Sequence, residues 1–193
     1  LPASIALVIG SDEIISALFG YGLFDKVAVT NSAKALYFFS LGLPAFAMIK
    51  VFSTFFFANL DTKTPFLISL FSVLLNILIS IYFFKSIGFI IIPIATTISS
   101  WVNLLALFIL LKKKDLFQFN KIFLIRFFKI VFSSFLMGLF FNYLIYFFDN
   151  QLSYNQSFKS FYLILSVILS LAFYLIVSFW IKAFQLKDIK LKY

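Results

Sequence analysis

Two residue types are missing from this sequence altogether. With no cysteine and no histidine among its 193 residues, the chain has no disulfide framework, no thiol nucleophile, no Cys/His metal site and no imidazole base. Charge is scarce too. Asp, Glu, Lys and Arg make up 12% of the chain, about half of the roughly 25% typical of a soluble domain, so water could not solvate its surface. Among the few acids, Asp12 and Glu13 are neighbours at a helix start, not a carboxylate pair facing a substrate. There is no Gly-rich phosphate loop or Walker pattern, so no enzyme constellation, cofactor site or metal site is expected. Proline and glycine do not gather into a polar linker that would mark a domain boundary. The start at Leu1 lacks the basic region, short apolar core and small-residue cleavage site of a signal peptide, and reads as a start cut away.

What remains is apolar. Hydrophobic residues form 63% of the chain, 31 of them Phe, and mean hydropathy is +1.09; the Phe residues are spread along continuous runs, as suits side chains that face lipid as well as each other. Leu1 to Gly10 is too short to cross a hydrocarbon layer that needs about 20 helical residues, and reads as the second half of a span. Ser11, Asp12 and Glu13 look like an N-cap followed by first-turn acids, opening a short surface helix over Ile14 to Phe19. Gly20 and Gly22 break the pattern, and Thr30, Asn31 and Ser32 are cap candidates for the next run. Five full spans follow, near 31–57, 65–84, 88–111, 127–148 and 159–181. In lipid a lone strand leaves its backbone unpaired, so these runs must be helices despite their β-favouring Ile, Val and Phe. A barrel would alternate polar and apolar positions, and Phe66 to Phe84 does not. The expected fold is therefore all-α: a polytopic transmembrane helical bundle with one truncated and five complete membrane spans.

The net charge of +9 would raise the question of nucleic acid in a soluble domain. Here the basic residues gather between apolar runs, where the positive-inside rule puts them, so no nucleic-acid partner is expected and membrane lipids are. Placing Lys112, Lys113, Lys114, Lys121, Arg126, Lys129 and the tail lysines 182, 187, 190 and 192 on one side brings Lys63 with them. Of the 16 basic residues, eleven then share the cytoplasmic side, Lys26, Lys34, Lys85 and Lys159 lie opposite, and Lys50 stands apart. The C-terminus is expected in the cytoplasm. The stretch Lys112 to Lys129, with Leu116, Phe117, Phe119, Ile122 and Phe123 interleaved, reads either as an ordinary loop or as a segment lying along the anionic membrane surface.

A few polar residues stand out inside the apolar runs. Lys50 sits on the order of 10 Å from the end of its helix. Against lipid it would cost about 2.5–3.5 kcal/mol, so it either faces a water-filled cavity, with a substrate or ion role, or snorkels to the surface or a structural partner. Pro44, just after Gly42, removes a helical hydrogen bond and should kink or loosen that helix, as a transport hinge or passively. Asn76 and Asn103 need partners in a dry medium; glue between helices is preferred to cavity lining for both. Asn59 to Pro65 is a tight turn in which Thr64 can cap and Pro65 take the first helical position.

At these same residues the chain resembles a known family. Gly42-Leu43-Pro44-Ala45-Phe46, then Lys50-Val51, Phe56-Phe57-Ala58 and Asp61-Thr62-Lys63-Thr64-Pro65 look like the pattern of the MurJ/MviN lipid II flippases. Leu18-Phe19-Gly20-Tyr21-Gly22-Leu23-Phe24 is similar to a periplasmic motif of that family, and Asn76 and Asn103 fall where members often carry asparagine. The likeness is specific from Leu1 to about Leu111; beyond that it rests on hydropathy and topology. It implies a fourteen-helix fold of the multidrug/oligosaccharidyl-lipid/polysaccharide exporter superfamily, with alternating access carrying lipid II across the bacterial inner membrane.

On that resemblance, residues 1–111 would be the second half of the C-terminal lobe, 112–126 a basic cytoplasmic linker, and 127–193 two accessory helices and a tail bordering an apolar groove. Lys50, Asn76 and Asn103 become substrate-pathway candidates, Gly42 and Pro44 a hinge, and Asp61, Thr62, Thr64 and Pro65 a cytoplasmic loop motif. The intramembrane arginines and aspartates of the family lie mainly in a missing N-terminal lobe, the implied partner of this chain, so the chain alone should flip nothing. Alternatives are a flippase for another polysaccharide lipid, a multidrug exporter of the same superfamily, or a non-transporting membrane scaffold.

Overall fold

A helix in lipid hides its own backbone, and the computed structural model is built of little else. It describes residues 1–115 and 121–183. In order these form α1 (Pro2–Ile9), α2 (Ser11–Phe19), α3 (Lys26–Ala58), α4 (Lys63–Ile87), a 3-10 turn (Gly88–Ile90), α5 (Ile91–Lys113), α6 (Lys121–Phe147), the single turn α7 (Asp149–Leu152) and α8 (Lys159–Trp180). No strand occurs among the described residues.

Helices α3, α6 and α8 are each long and apolar enough to cross a membrane, as is the helical stretch Lys63–Lys113. That stretch has 51 residues, about 75 Å at 1.5 Å per residue, far more than one crossing. It folds back at Gly88, because Asn76 on α4 reaches Thr96 and Ser99 on α5, so α4 and α5 are two antiparallel crossings. The chain is a multi-pass membrane protein. Before these spans, α1 and α2 meet at a bend of 77°, a broken span or re-entrant pair.

Several helix starts differ from expectation. Ser11 is not the cap of α2 but its first residue; Gly10 takes the cap position, with no side-chain hydrogen bond. Thr30, Asn31 and Ser32 cap nothing, since α3 starts at Lys26. The reason is Asp25, whose carboxylate accepts the Ala28 amide at 2.8 Å, while the Thr30 hydroxyl turns back onto the Lys26 carbonyl. Helix α6 begins already at Lys121, earlier than the expected span start at 127. Leu116, Phe117 and Phe119 of the expected surface segment, and the tail lysines Lys187, Lys190 and Lys192, lie outside the described residues. Pro44 does not break α3, which runs on through it to Ala58.

The described chain falls into two compact units. One holds residues 1–33 with 121–183, and the other residues 34–115. In the first, Ala17, Phe141, Ile145, Leu152 and Leu163 form the core, and Phe140 of α6 stacks on Phe173 of α8 with centroids 4.5 Å apart. Helix α1 lies against α6 because Gly138 leaves room: a Cβ there would come within 2.5 Å of Ile5 Cγ2. In the second, Ala45, Phe52 and Phe56 of α3 pack on Leu104, Leu107 and Leu111 of α5. Most other large apolar side chains, such as Phe66, Leu78, Ile81 and Ile176, are exposed, as expected where lipid replaces water.

Close approach of α1 and α6 depends on that missing side chain. Overpacking a tight site costs about 1–3 kcal/mol, so Gly138→Leu is expected to lower the thermal unfolding midpoint of the full-length protein in detergent by several degrees, and Gly138→Ala by less. Equal midpoints for all three proteins would contradict this packing.

Candidate functional site

Several mid-helix polar residues of α4 and α5 share one groove. It has a volume of about 480 Å³ and is lined by Phe46 and Ile49 of α3, Ser69, Ser72, Val73, Asn76 and Ile77 of α4, and Thr96, Ser99, Ser100 and Asn103 of α5. Small hydroxyls are tolerated in these helices because each can bond back to its own turn. Ser72 donates to the Ile68 carbonyl, Thr96 to Ile92, Ser99 to Thr96 and Ser100 to Thr97.

Asn76 organises the groove. Its Nδ2 donates to Thr96 Oγ1 at 3.0 Å and to Ser99 Oγ at 3.4 Å, and its Oδ1 accepts from Ser80 at 3.3 Å. It both joins the helices and lines the cavity. Asn103 is buried in the same groove, but its Oδ1 has no hydrogen-bond partner among the described residues; that oxygen does not serve as the glue expected of it. The groove holds no ionisable side chain. What its described lining offers a ligand is hydrogen bonds.

Lys50 is exposed and is not among the lining residues, although Phe46, one turn earlier on α3, is. Gly42 is buried: a Cβ there would sit 3.1 Å from Thr97 Oγ1 and 3.4 Å from Ser100 Oγ, so the glycine lets α5 come close. The bonds across this approach come from residues that the sequence did not single out. Thr97 donates to the Phe38 carbonyl at 2.6 Å, and the Trp101 indole to the Leu41 carbonyl at 3.1 Å. These carbonyls lie in the two turns before Pro44, which has no N–H to continue the helical ladder.

At the end of α3 the turn Asn59–Thr62 is set by an acid. Leu60 adopts a left-handed φ of 59° and the Asp61 amide reaches back to the Phe56 carbonyl, closing the helix as a Schellman turn does. The expected roles of Thr64 and Pro65 are corrected: α4 starts at Lys63 after Thr62, which makes no side-chain cap, and Pro65 lies within the first turn. Asp61 does the capping. Its carboxylate accepts from the Thr64 amide at 3.0 Å, the Thr64 hydroxyl at 2.7 Å and the Lys114 ammonium, and Lys114 also lies over the Phe56 ring. The bond from Lys114, then those from Thr64, hold the Asp61 carboxyl well below the usual carboxylate range.

A profile described as "Lipid II flippase MurJ" matches residues 1–181. The chain belongs to the lipid II flippase MurJ family. The profile extends past the motif-bearing first 111 residues and takes in α6 and α8. The chain is 39% identical over 104 residues to "Probable lipid II flippase MurJ" of Rickettsia prowazekii, covering 54% of this chain and 20% of that protein. It is 31% identical over 117 residues to "Lipid II flippase MurJ" of Burkholderia cenocepacia, covering 61% and 23%. Among solved structures, "Lipid II flippase MurJ, inward closed conformation" superposes with a TM-score of 0.68 at 24% identity, over 92% of this chain and 35% of that one. That likeness shows a shared fold. The chain spans about a fifth of the length of the curated relatives it matches.

Two substitutions test the contacts of the family motifs. A depressed carboxyl pKa adds stability above the ordinary value near 4 and loses it as pH falls toward the folded-state value. The unfolding midpoint of the full-length protein in detergent should therefore drop as pH falls below about 4, and Asp61→Asn should flatten that part of the profile; an unchanged profile would contradict the role of Asp61. Asn76→Leu, which removes both bonds to α5, is expected to cost about 0.5–1.5 kcal/mol in reversible unfolding, and a cost near zero would contradict its bridging role.

Proposed function

We propose that this chain is the C-terminal part of a lipid II flippase that works by alternating access in the bacterial inner membrane. The observation that carries this reading is the match of a lipid II flippase profile to residues 1–181, nearly the whole chain. Lipid II is then the partner carried, and the N-terminal lobe absent from this chain is the partner that completes the carrier. The proposed role is transport. In the whole protein, residues 1–111 would complete the C-terminal lobe, and the basic segment expected over 112–126, already helical from Lys121, would lead into the accessory helices of 127–193.

The exposure of Lys50 supports its place on the pathway. It stands in an apolar run of α3, where exposure to lipid would cost about 2.5–3.5 kcal/mol, and a water-filled cavity closed by the N-terminal lobe removes most of that cost. Asn76 and Asn103, lining the groove between α4 and α5, would add hydrogen-bonding groups to the same lobe. Gly42 and Pro44 would let α3 flex, since the helix lacks a hydrogen bond there. The basic connections, with Asp61, Thr62, Thr64 and Pro65 in one of them, are placed in the cytoplasm by the positive-inside rule.

Replacing Lys50 tests this directly. Full-length protein carrying Lys50→Ala should insert at wild-type levels yet fail to support growth of a bacterium depleted of its own lipid II flippase. Normal growth at equal membrane abundance would rule out an essential role for Lys50.

A further inference from the structure

The motif Leu18–Phe24 is the one family pattern that the proposed pathway does not use. In the structure it surrounds an ammonium group. Lys159, the first residue of α8, is fully buried, and its Nζ donates to the Gly20 carbonyl at 2.7 Å and the Tyr154 carbonyl at 2.8 Å. The same nitrogen lies 4.3 Å from the Tyr21 ring centroid and 4.7 Å from that of Tyr154, well inside the roughly 6 Å at which a cation is held by a ring face. No carboxylate pairs with it among the described residues. Two carbonyl dipoles and two π faces take the place of a counter-ion.

Three further polar contacts near the ammonium join residues 17–24 to residues 154–160. The Tyr154 hydroxyl donates to the Phe24 carbonyl at 2.8 Å, Ser160 Oγ donates to the Ala17 carbonyl at 2.5 Å, and Tyr21 and Ser160 hydroxyls lie 2.8 Å apart. The glycines of the motif fit this duty. A Cβ on Gly20 would stand 2.5 Å from the Ser16 carbonyl oxygen and 3.1 Å from Lys159 Nζ, and Gly22 takes a left-handed φ of 61° that side chains disfavour.

We propose that Leu18–Phe24 is a receptor for the Lys159 ammonium, a latch that fastens the α2–α3 connection to the start of α8. Describing α8 as an accessory helix of a transporter rests on the function proposed above; the latch does not. On that reading, it makes the accessory pair α6 and α8 move with the connection between α2 and α3 instead of independently of it. Lys159 is a positioning residue and touches no substrate.

Chemical rescue separates charge recognition from mere packing. In the full-length protein, Lys159→Ala is expected to raise amide hydrogen exchange across residues 20–24 by about tenfold or more, as loss of two charge-assisted bonds should. Added n-propylammonium, which replaces the deleted part of the side chain, should restore protection, while n-propanol should not. Unchanged exchange in Lys159→Ala, or equal rescue by n-propanol, would overturn the proposal. A second pair guards against a variant that does not fold. Tyr21→Leu removes a ring face and should raise exchange more than Tyr21→Phe, which keeps the face and loses only the hydroxyl; equal effects would also overturn it.

Discussion

The whole structure answers to one constraint, that no water is at hand in a bilayer to satisfy a backbone N–H or C=O. Helices meet it within one segment, which is why stretches rich in Phe, Ile and Val are helical here. The same constraint governs the small polar side chains. Ser40, Ser72, Ser134 and Ser166 each donate to the carbonyl four residues back, so they are satisfied without a neighbour. Among the described residues, other polar groups do cross between helices, as Asn76 does from α4 to α5. Thr97 and Trp101 donate to the Phe38 and Leu41 carbonyls of α3.

At the helix ends the constraint relaxes, and two different chemistries hold the connections. Asp61 and Lys114 form an exposed ion pair that draws the α3–α4 turn to the end of α5. Such pairs add little stability of their own in water, so the value of this one lies in fixing the turn. Lys159 and Tyr154 do the corresponding work at the start of α3 and the start of α8, with a buried ammonium, carbonyls and ring faces. Each set closes a connection within its own unit: Asp61 and Lys114 that of α3 and α4, Lys159 and Tyr154 that of α2 and α3.

How much of this could be read in advance depended on the range of the interaction. Apolar runs are local and continuous, so the five crossings from α3 to α8 were legible, with ends shifted by a few residues. The cap of α3 was misplaced because Thr30, Asn31 and Ser32 are good caps in isolation, whereas the apolar run had extended back to Asp25. Of the candidate site, Asn76 was legible because a mid-span amide must find a partner; counting outward from Gly88 brings the Ser99–Ser100 turn opposite it, one turn from Thr96. Lys159 reads in the sequence only as a basic residue at the start of the last span, opposite the cytoplasmic side. Nothing local distinguishes it, since its acceptors lie 139 and five residues away in sequence.

The proposed transport role rests on family membership, and the packing described rests on the crossings themselves. The chain has no cysteine, so single cysteines can be introduced into it as reporters. The most direct measurement is labelling by a membrane-impermeant thiol reagent in intact cells, comparing Lys113→Cys with Asn155→Cys in full-length protein made cysteine-free. The account predicts that Asn155→Cys reacts from outside and Lys113→Cys only after the inner membrane is opened. Labelling of both from the same side would contradict the crossing of α6 and, with it, the arrangement of the whole chain.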